Sequence, residues 1–212
     1  DVYKRQEDFY VLSKIVLKIT LPAAIISNFS GIDLKPSMLV MTLLGFGGGI
    51  LYITMAFFMS IGKEREERAF NVLNLPGYNI GNFTMPFAQS FLGPVGVVAT
   101  SLFDTGNAFV CLGGAYSVAV VTKEKNARFS LLPVVKTLLK SLPFDAYLIM
   151  TVLSFLHVAL PAPITSFTGV IGNANAFMAM LMIGVGFKLN GDSSQPGKIV
   201  RILAARYSLA II

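Results

Sequence analysis

The stretch YNIGNFTMPFAQSF, residues 78–91, sets Asn79, Asn82, Thr84 and Gln89 among apolar neighbours, interrupts them with Gly81 and Pro86, and carries no charge. Further on, Asp104 is the only charged residue between positions 69 and 122, and Asn107 follows it by about one helical turn. Carboxamides offer donors and acceptors together, and a carboxylate holds a proton or a cation. Placed away from water, such groups are costly and mark a path for an ion or a polar ligand. Asp104 also fits a second reading, in which it lies near the outer interface and stays hydrated.

The prolines set the backbone problem. Pro86 has no N–H, so the carbonyl of Asn82 loses its helical partner; Pro76 does the same to Val72. Gly77 and Gly81 loosen the helix between them. Freed backbone groups in hydrocarbon must find protein or cavity water, and Asn79, Asn82, Thr84 and Gln89 can supply side-chain partners. Two readings follow. One is a proline kink patched by nearby amides. The other is an interrupted helix in which a half-helix beginning near Pro86 points the N–H groups of Phe87 and its successors at an anion.

Other chemistries find little support. Cys111 is the single cysteine and lies in an apolar run, which suits packing. His157, the single histidine, sits near the outer end of its span and reads as an interfacial residue more readily than as a proton relay. No metal-ligand spacing, nucleotide-binding loop or nucleophile–base pair occurs, so neither an enzyme nor a cofactor is expected. The glycines of GFGGG (45–49) and Gly113–Gly114 suit close helix contact.

These residues need elements to carry them. Of 212 residues, 54% are hydrophobic and 13% charged, about half the charge of a soluble domain. Apolar stretches of about 20 residues recur along the chain, the mark of membrane-crossing helices. A β-barrel would need short alternating segments instead. The fold class expected is therefore an all-α polytopic membrane protein.

Spans are expected at 15–34, 37–61, 70–91, 95–122, 145–160 and 164–188, with a last one from 199. As a single helix, 69–122 would extend roughly 80 Å, so it must fold back, with LGPVG (92–96) as the turn. LLPVVKTLLKSLPF (131–144) is basic and amphipathic, as a helix lying on the membrane surface would be. Three regions result: 9–122, 123–144 and 145–212. One side of the membrane receives Lys4, Arg5, Lys14, Lys18, Lys63, Arg65, Arg68, Lys123, Lys125, Arg128, Lys136, Lys140, Lys188, Lys198 and Arg201, and the other receives Lys35 alone. This asymmetry places the basic loops in the cytoplasm, so the net charge of +6 needs no nucleic acid to explain it. DVYKRQEDF has no signal-peptide pattern, and the chain is expected to be an internal piece of a longer protein.

Three segments taken in order carry a resemblance. SKIVLKITLPAAIISNFSGIDL (13–34), NIGNFTMP (79–86, against the pattern N-x-G-x-x-G-x-P) and TGVIGNANAFMAMLMIGVGFKL (168–189) are similar to the second, fourth and seventh spans of the auxin efflux carrier family. That family belongs to the bile, arsenite and riboflavin transporter-like superfamily. The resemblance implies ten spans in two inverted five-span repeats, each with a broken crossover helix. Here the first repeat would be nearly complete and the second truncated, ending within span eight. Pro22–Leu34 can be laid over Ala176–Lys188 as the two copies. Thr84 stands where the motif has glycine, Asn82 where an apolar residue is usual, and Ala176 where proline is frequent; these departures bear on substrate more than on fold.

The activity implied is secondary active transport of small organic anions, such as dicarboxylates or auxin-like carboxylates, by a multi-pass permease of the cell membrane. Asn79, Gly81, Asn82, Pro86 and Asn107 would bind the substrate, and Asp104 would be the coupling-ion candidate, for protons or sodium. The partners implied are the anion, the lipid bilayer and a second copy forming a homodimer. The alternative is a non-transporting membrane receptor or assembly subunit on the same scaffold.

Overall fold

The computed structural model describes residues 6–30, 32, 34–124, 130–186 and 196–211, all helical apart from turns and short links. Lys4, Arg5, Lys125, Arg128 and Lys188 of the charge pattern lie outside them. α1 (Gln6–Ile15) and α2 (Leu21–Phe29) form one rod joined by a π-helical turn, Val16–Thr20. The Leu21 N–H donates to the Val16 carbonyl five residues back. This wider ring lets the helix pass Pro22, whose own ring would strike an α-helical turn. α3 (Val40–Phe58) begins after a tight turn opened by Pro36.

α4 (Arg65–Asn74) ends at a non-helical link, and helix resumes at Ile80. From there a π turn (Ile80–Thr84), α5 (Met85–Phe87) and a second π turn (Ala88–Leu92) run continuously. α6 (Gly93–Phe109), a π segment (Val110–Gly114) and α7 (Ala115–Lys123) follow. Then come α8 (Leu132–Leu138), α9 (Leu142–Phe155), α10 (Ala162–Asn173), α11 (Asn175–Gly186) and α12 (Pro196–Ile211).

Four helical stretches are long and apolar enough to cross a membrane: Glu7–Phe29, Pro36–Phe58, Met85–Phe109 and Ala162–Gly186. A fifth appears if α8 and α9, bent by 83° at their junction, count as one. That near-perpendicular bend suits a surface helix leading into a crossing one. The exposed faces are apolar, with Leu43, Phe58, Phe91 and Val170 all largely uncovered. Only 17% of the apolar window in Pro36–Phe58 is buried within the protein. A water-soluble fold would bury such a helix, so this surface is consistent with an integral membrane protein.

The third stretch reverses inside itself. A straight helix from Met85 to Asn107 would separate its ends by about 33 Å, yet the side chain of Asn107 bonds both backbone groups of Tyr78. The reversal falls at Gly93 (φ 63, ψ −169), a conformation that only glycine adopts without strain. Pro94 then opens α6.

Two contacts organise the rest. α3 lies directly on α6: a Cβ at Gly45 would meet the Phe103 carbonyl, and one at Gly106 would meet the Thr42 carbonyl. The α1–α2 rod packs antiparallel to α10–α11, with Gly172 against the backbone of Ala24 and Gly186 against the Phe9 ring. At the crossing, the Thr20 hydroxyl donates to Asn175 Oδ1 at 3.0 Å.

At the end that carries the basic loops, an Arg201 N–H donates to Glu67 at 3.0 Å, Lys63 approaches the same carboxylate at 3.5 Å, and Lys123 pairs with Glu66 at 3.3 Å. The Arg201 bond above all, helped by Lys63, holds the Glu67 carboxyl below its ordinary value of 4.5, against the opposing push of burial. The folded state therefore gains stability from this group above pH 4.5, and loses it as pH falls through the depressed value. The thermal unfolding midpoint is expected to fall on acidification below about pH 4.5, and Glu67→Gln is expected to flatten that part of the dependence. An unchanged pH profile in Glu67→Gln would show that the contact contributes nothing.

Candidate functional site

The link between α4 and the next half-helix is where the chemistry gathers. Pro76 cannot donate to Val72, and Gly77 (φ 97) turns the chain where a side chain would also press on the Cys111 sulfur. Both backbone groups of Tyr78 thereby lose helical partners. Asn107, reaching across from α6, replaces both: its Oδ1 accepts the Tyr78 N–H at 3.3 Å and its Nδ2 donates to the Tyr78 carbonyl at 3.1 Å. Nδ2 also donates to Asp104 Oδ1 at 3.1 Å, and the Cys111 thiol donates to Oδ1 at 3.1 Å. All the hydrogen-bonding capacity of this amide, 1% exposed, is in use.

Asp104 takes its second donor from α9, where the Tyr147 hydroxyl reaches Oδ2 at 3.0 Å. Both donors are neutral, and no ion pair among the described residues reaches Asp104. The link is also held by Arg206 of α12. Its Nη2 donates to the Gly77 carbonyl at 2.6 Å and its Nη1 to the Asn74 carbonyl at 3.3 Å. These are carbonyls that the end of α4 leaves without N–H partners, and a cation suits the negative pole of the helix. The Tyr52 hydroxyl donates to the Arg206 carbonyl at 2.9 Å and fastens α12 to α3.

Rise per residue gives the distance of each group from the start of its helix. Gly77 lies about 15–18 Å along its path from the start of α4, Arg206 about 15 Å from the start of α12, and Asp104 about 16 Å from the start of α6. All three therefore lie well along their helical paths, away from the helix starts.

Two cavities flank the link. One, of about 140 Å³, is lined by Leu21, Asn79, Gly81, Asp104, Asn107 and Tyr147. It runs toward Ser141 at the junction of α8 and α9. The other is a groove of about 460 Å³ bounded by Met41, Thr84, Thr100, Phe103 and Ala210. Tyr78 and Ile80 line both, so the broken segment is the wall between them. The Tyr78 ring is wedged edge-on between Tyr52 at 5.4 Å and Phe103 at 6.0 Å.

Of the residues singled out in the sequence, Asn79, Gly81, Asp104 and Asn107 meet around the smaller cavity. Asn82 lies in the π turn, and its side chain is outside the described ones. Pro86 is elsewhere: it lines a shallow apolar groove with Phe87, Ser90, Phe91, Ala176 and Phe177. The expected half-helix beginning near Pro86 is corrected accordingly. Helix resumes at Ile80, where the Phe83 and Thr84 N–H groups already donate to the Asn79 carbonyl. The amides that open it belong to Ile80 and Gly81. Pro86 is absorbed because the π turns on either side use longer hydrogen-bonded rings.

The partners expected for the freed backbone also differ. Gln89 turns away from its own helix, donating to the Gly172 carbonyl at 3.1 Å and accepting from Asn175 at 3.4 Å. The break is satisfied from α6 and α12 instead. Arg206 and Tyr147 are functional candidates that the sequence reading passed over. Arg206 is the one Lys or Arg side chain the loop pattern leaves unassigned, and the rule that flagged Asp104 would have flagged it. A tyrosine near the start of a span carries no such signal. Among the described residues, no cluster of three or more metal-ligating side chains occurs. Comparison with known proteins finds no family model, no curated protein and no solved structure that matches this chain.

Proposed function

We propose that the chain works as a secondary active transporter of small organic anions, a multi-pass permease of the cell membrane, built as the auxin efflux carrier resemblance implies. The observation that carries this reading is the helical path broken inside the protein, with a carboxylate and a guanidinium both tied to the break and two cavities against it. Carriers place their sites where interrupted helices meet near the bilayer midplane. A neutral-donor cage around Asp104 suits a group that takes up and releases a proton or a sodium ion during the cycle.

The inverted repeat has its own support. Laying Pro22–Leu34 over Ala176–Lys188 pairs Thr20 with Ala174. The first rod has its irregular turn ending at Thr20, and the second has its break at Ala174. The rods cross antiparallel where Thr20 meets Asn175, as copies related by a twofold axis in the membrane plane would.

The test is flux. Reconstituted in liposomes, the protein is expected to accumulate radiolabelled malonate or phenylacetate under an imposed proton or sodium gradient. Asp104→Asn should lower gradient-driven accumulation at least about tenfold with equal reconstitution. Binding without flux under either gradient would favour the receptor reading, and neither binding nor flux would sink both.

A further inference from the structure

We propose that Arg206 is the anion-selecting residue of this site, its guanidinium pairing with the carboxylate of a ligand whose body lies in the 460 Å³ groove. The inference rests on the transporter reading and adds to it the residue that discriminates charge.

The first reason is cost. In a chain with the apolar surface of a membrane protein a partly buried cation is expensive, and the described partners of Arg206 are the carbonyls of Gly77 and Asn74 rather than a carboxylate. Capping two carbonyls needs donors, not charge; a glutamine amide supplies two N–H groups without a charge to desolvate. Attraction to the negative pole of α4 offsets only part of the cost of that charge, so the charge has a use beyond the cap. The second reason is geometry. A guanidinium has five N–H donors in one plane, and the two carbonyl bonds engage one on each terminal nitrogen. Three remain, enough for the two parallel bonds by which arginine grips a carboxylate.

The third reason is the space beside it. Ala210, one turn beyond Arg206 on the same helix face, lines the groove, and so does Tyr78, next to the Gly77 that Arg206 holds. Met41, Ala99 and Phe103 give this groove apolar walls, while Thr84 and Thr100 add hydroxyls. Asp104 is tied to the Gly77–Tyr78 link through Asn107. Without ligand, the positive and negative groups tied to the link balance. An anion on Arg206 leaves Asp104 in excess, so a cation taken up there restores neutrality. Coupling then follows from charge balance across the break.

The experiment measures equilibrium binding of radiolabelled phenylacetate to the purified chain, with phenylacetamide as the neutral competitor. Wild type is expected to bind the carboxylate and to ignore the amide. Arg206→Gln is expected to weaken carboxylate binding at least about tenfold and to erase the preference for acid over amide. Arg206→Lys, which keeps the charge but loses the fork, is expected to keep the preference at lower affinity. A purely structural cap would not move that preference ratio. A preference surviving in Arg206→Gln overturns the inference, as does a wild type that binds no carboxylate. Should Arg206→Gln fail to fold, Arg206→Lys decides, since loss of the preference there overturns the inference and its retention supports it. Arg206-dependent binding without flux counts against transport alone, whereas flux with Arg206-independent binding counts against this inference alone.

Discussion

Asn107→Leu is expected to be the most damaging single substitution at the site, lowering stability by about 2–5 kcal/mol and abolishing transport. Leucine has the same branched skeleton with bulkier ends, so the effect is not a cavity. It removes the partners of the Tyr78 N–H and carbonyl together, and leaves both backbone groups in a setting where water does not replace them. It also strips Asp104 of one of its two described donors. Hydrogen bonds in membrane proteins are often worth only about 0.6 kcal/mol, because the unfolded chain finds other partners. The larger figure applies here because one side chain serves two backbone groups and a carboxylate. Asn107→Asp should be nearly as damaging, since it keeps an acceptor for the Tyr78 N–H but offers no donor to the Tyr78 carbonyl and sets a second carboxylate beside Asp104. Thermal unfolding in detergent measures the loss, and a shift within error of wild type in Asn107→Leu would refute the assigned role.

Gly106→Val is expected to part α3 from α6 and to cost more than about 3 kcal/mol, enough to lower the yield of folded protein sharply. The Cβ it adds would land on the Thr42 carbonyl and close to the Phe46 nitrogen, both backbone atoms that no rotamer change can move. The same interface holds the bond from the Thr42 hydroxyl to the Leu102 carbonyl at 2.9 Å, which separation would break. Because α6 also carries Asp104 and Asn107, a shift of this helix displaces the site. Gly47 and Gly48 provide the contrast, since a Cβ at either meets nothing within 4 Å. Gly47→Ala and Gly48→Ala should be neutral, or stabilising by up to about 1 kcal/mol through helix propensity. Equal tolerance at Gly106 and Gly47 would refute the close-contact account. The GFGGG run thus divides into glycines that touch a neighbour and glycines that do not.

Proline shows where local reading stops. The rule that a proline orphans the carbonyl four residues back assumes α-helical register on both sides. Pro22 and Pro86 both sit next to π turns, and neither breaks its helix. Pro76 is followed by Gly77 at positive φ, and there the helix does stop. Local sequence contains all three prolines but not the register around them, which depends on what packs alongside. Gln89 teaches the same lesson: an amide in a polar cluster looked like a local patch, yet it bonds a carbonyl 83 residues away.

What the sequence determined by itself is the part governed by solvent. Apolar run lengths and the asymmetry of basic residues specify helices of membrane-crossing kind and their expected orientation, because hydrocarbon excludes charge and unpaired backbone at any position. The same exclusion made Asp104 stand out, and would equally have picked out Arg206. Tertiary structure alone decided which of these groups meet. Asn107, Tyr147 and Arg206 converge on Gly77, Tyr78 and Asp104 from three different helices, and no spacing along the chain encodes that. The physical reason is that a break in a helix is completed by whichever donors and acceptors packing brings across it, so the site forms only once the helices are in contact.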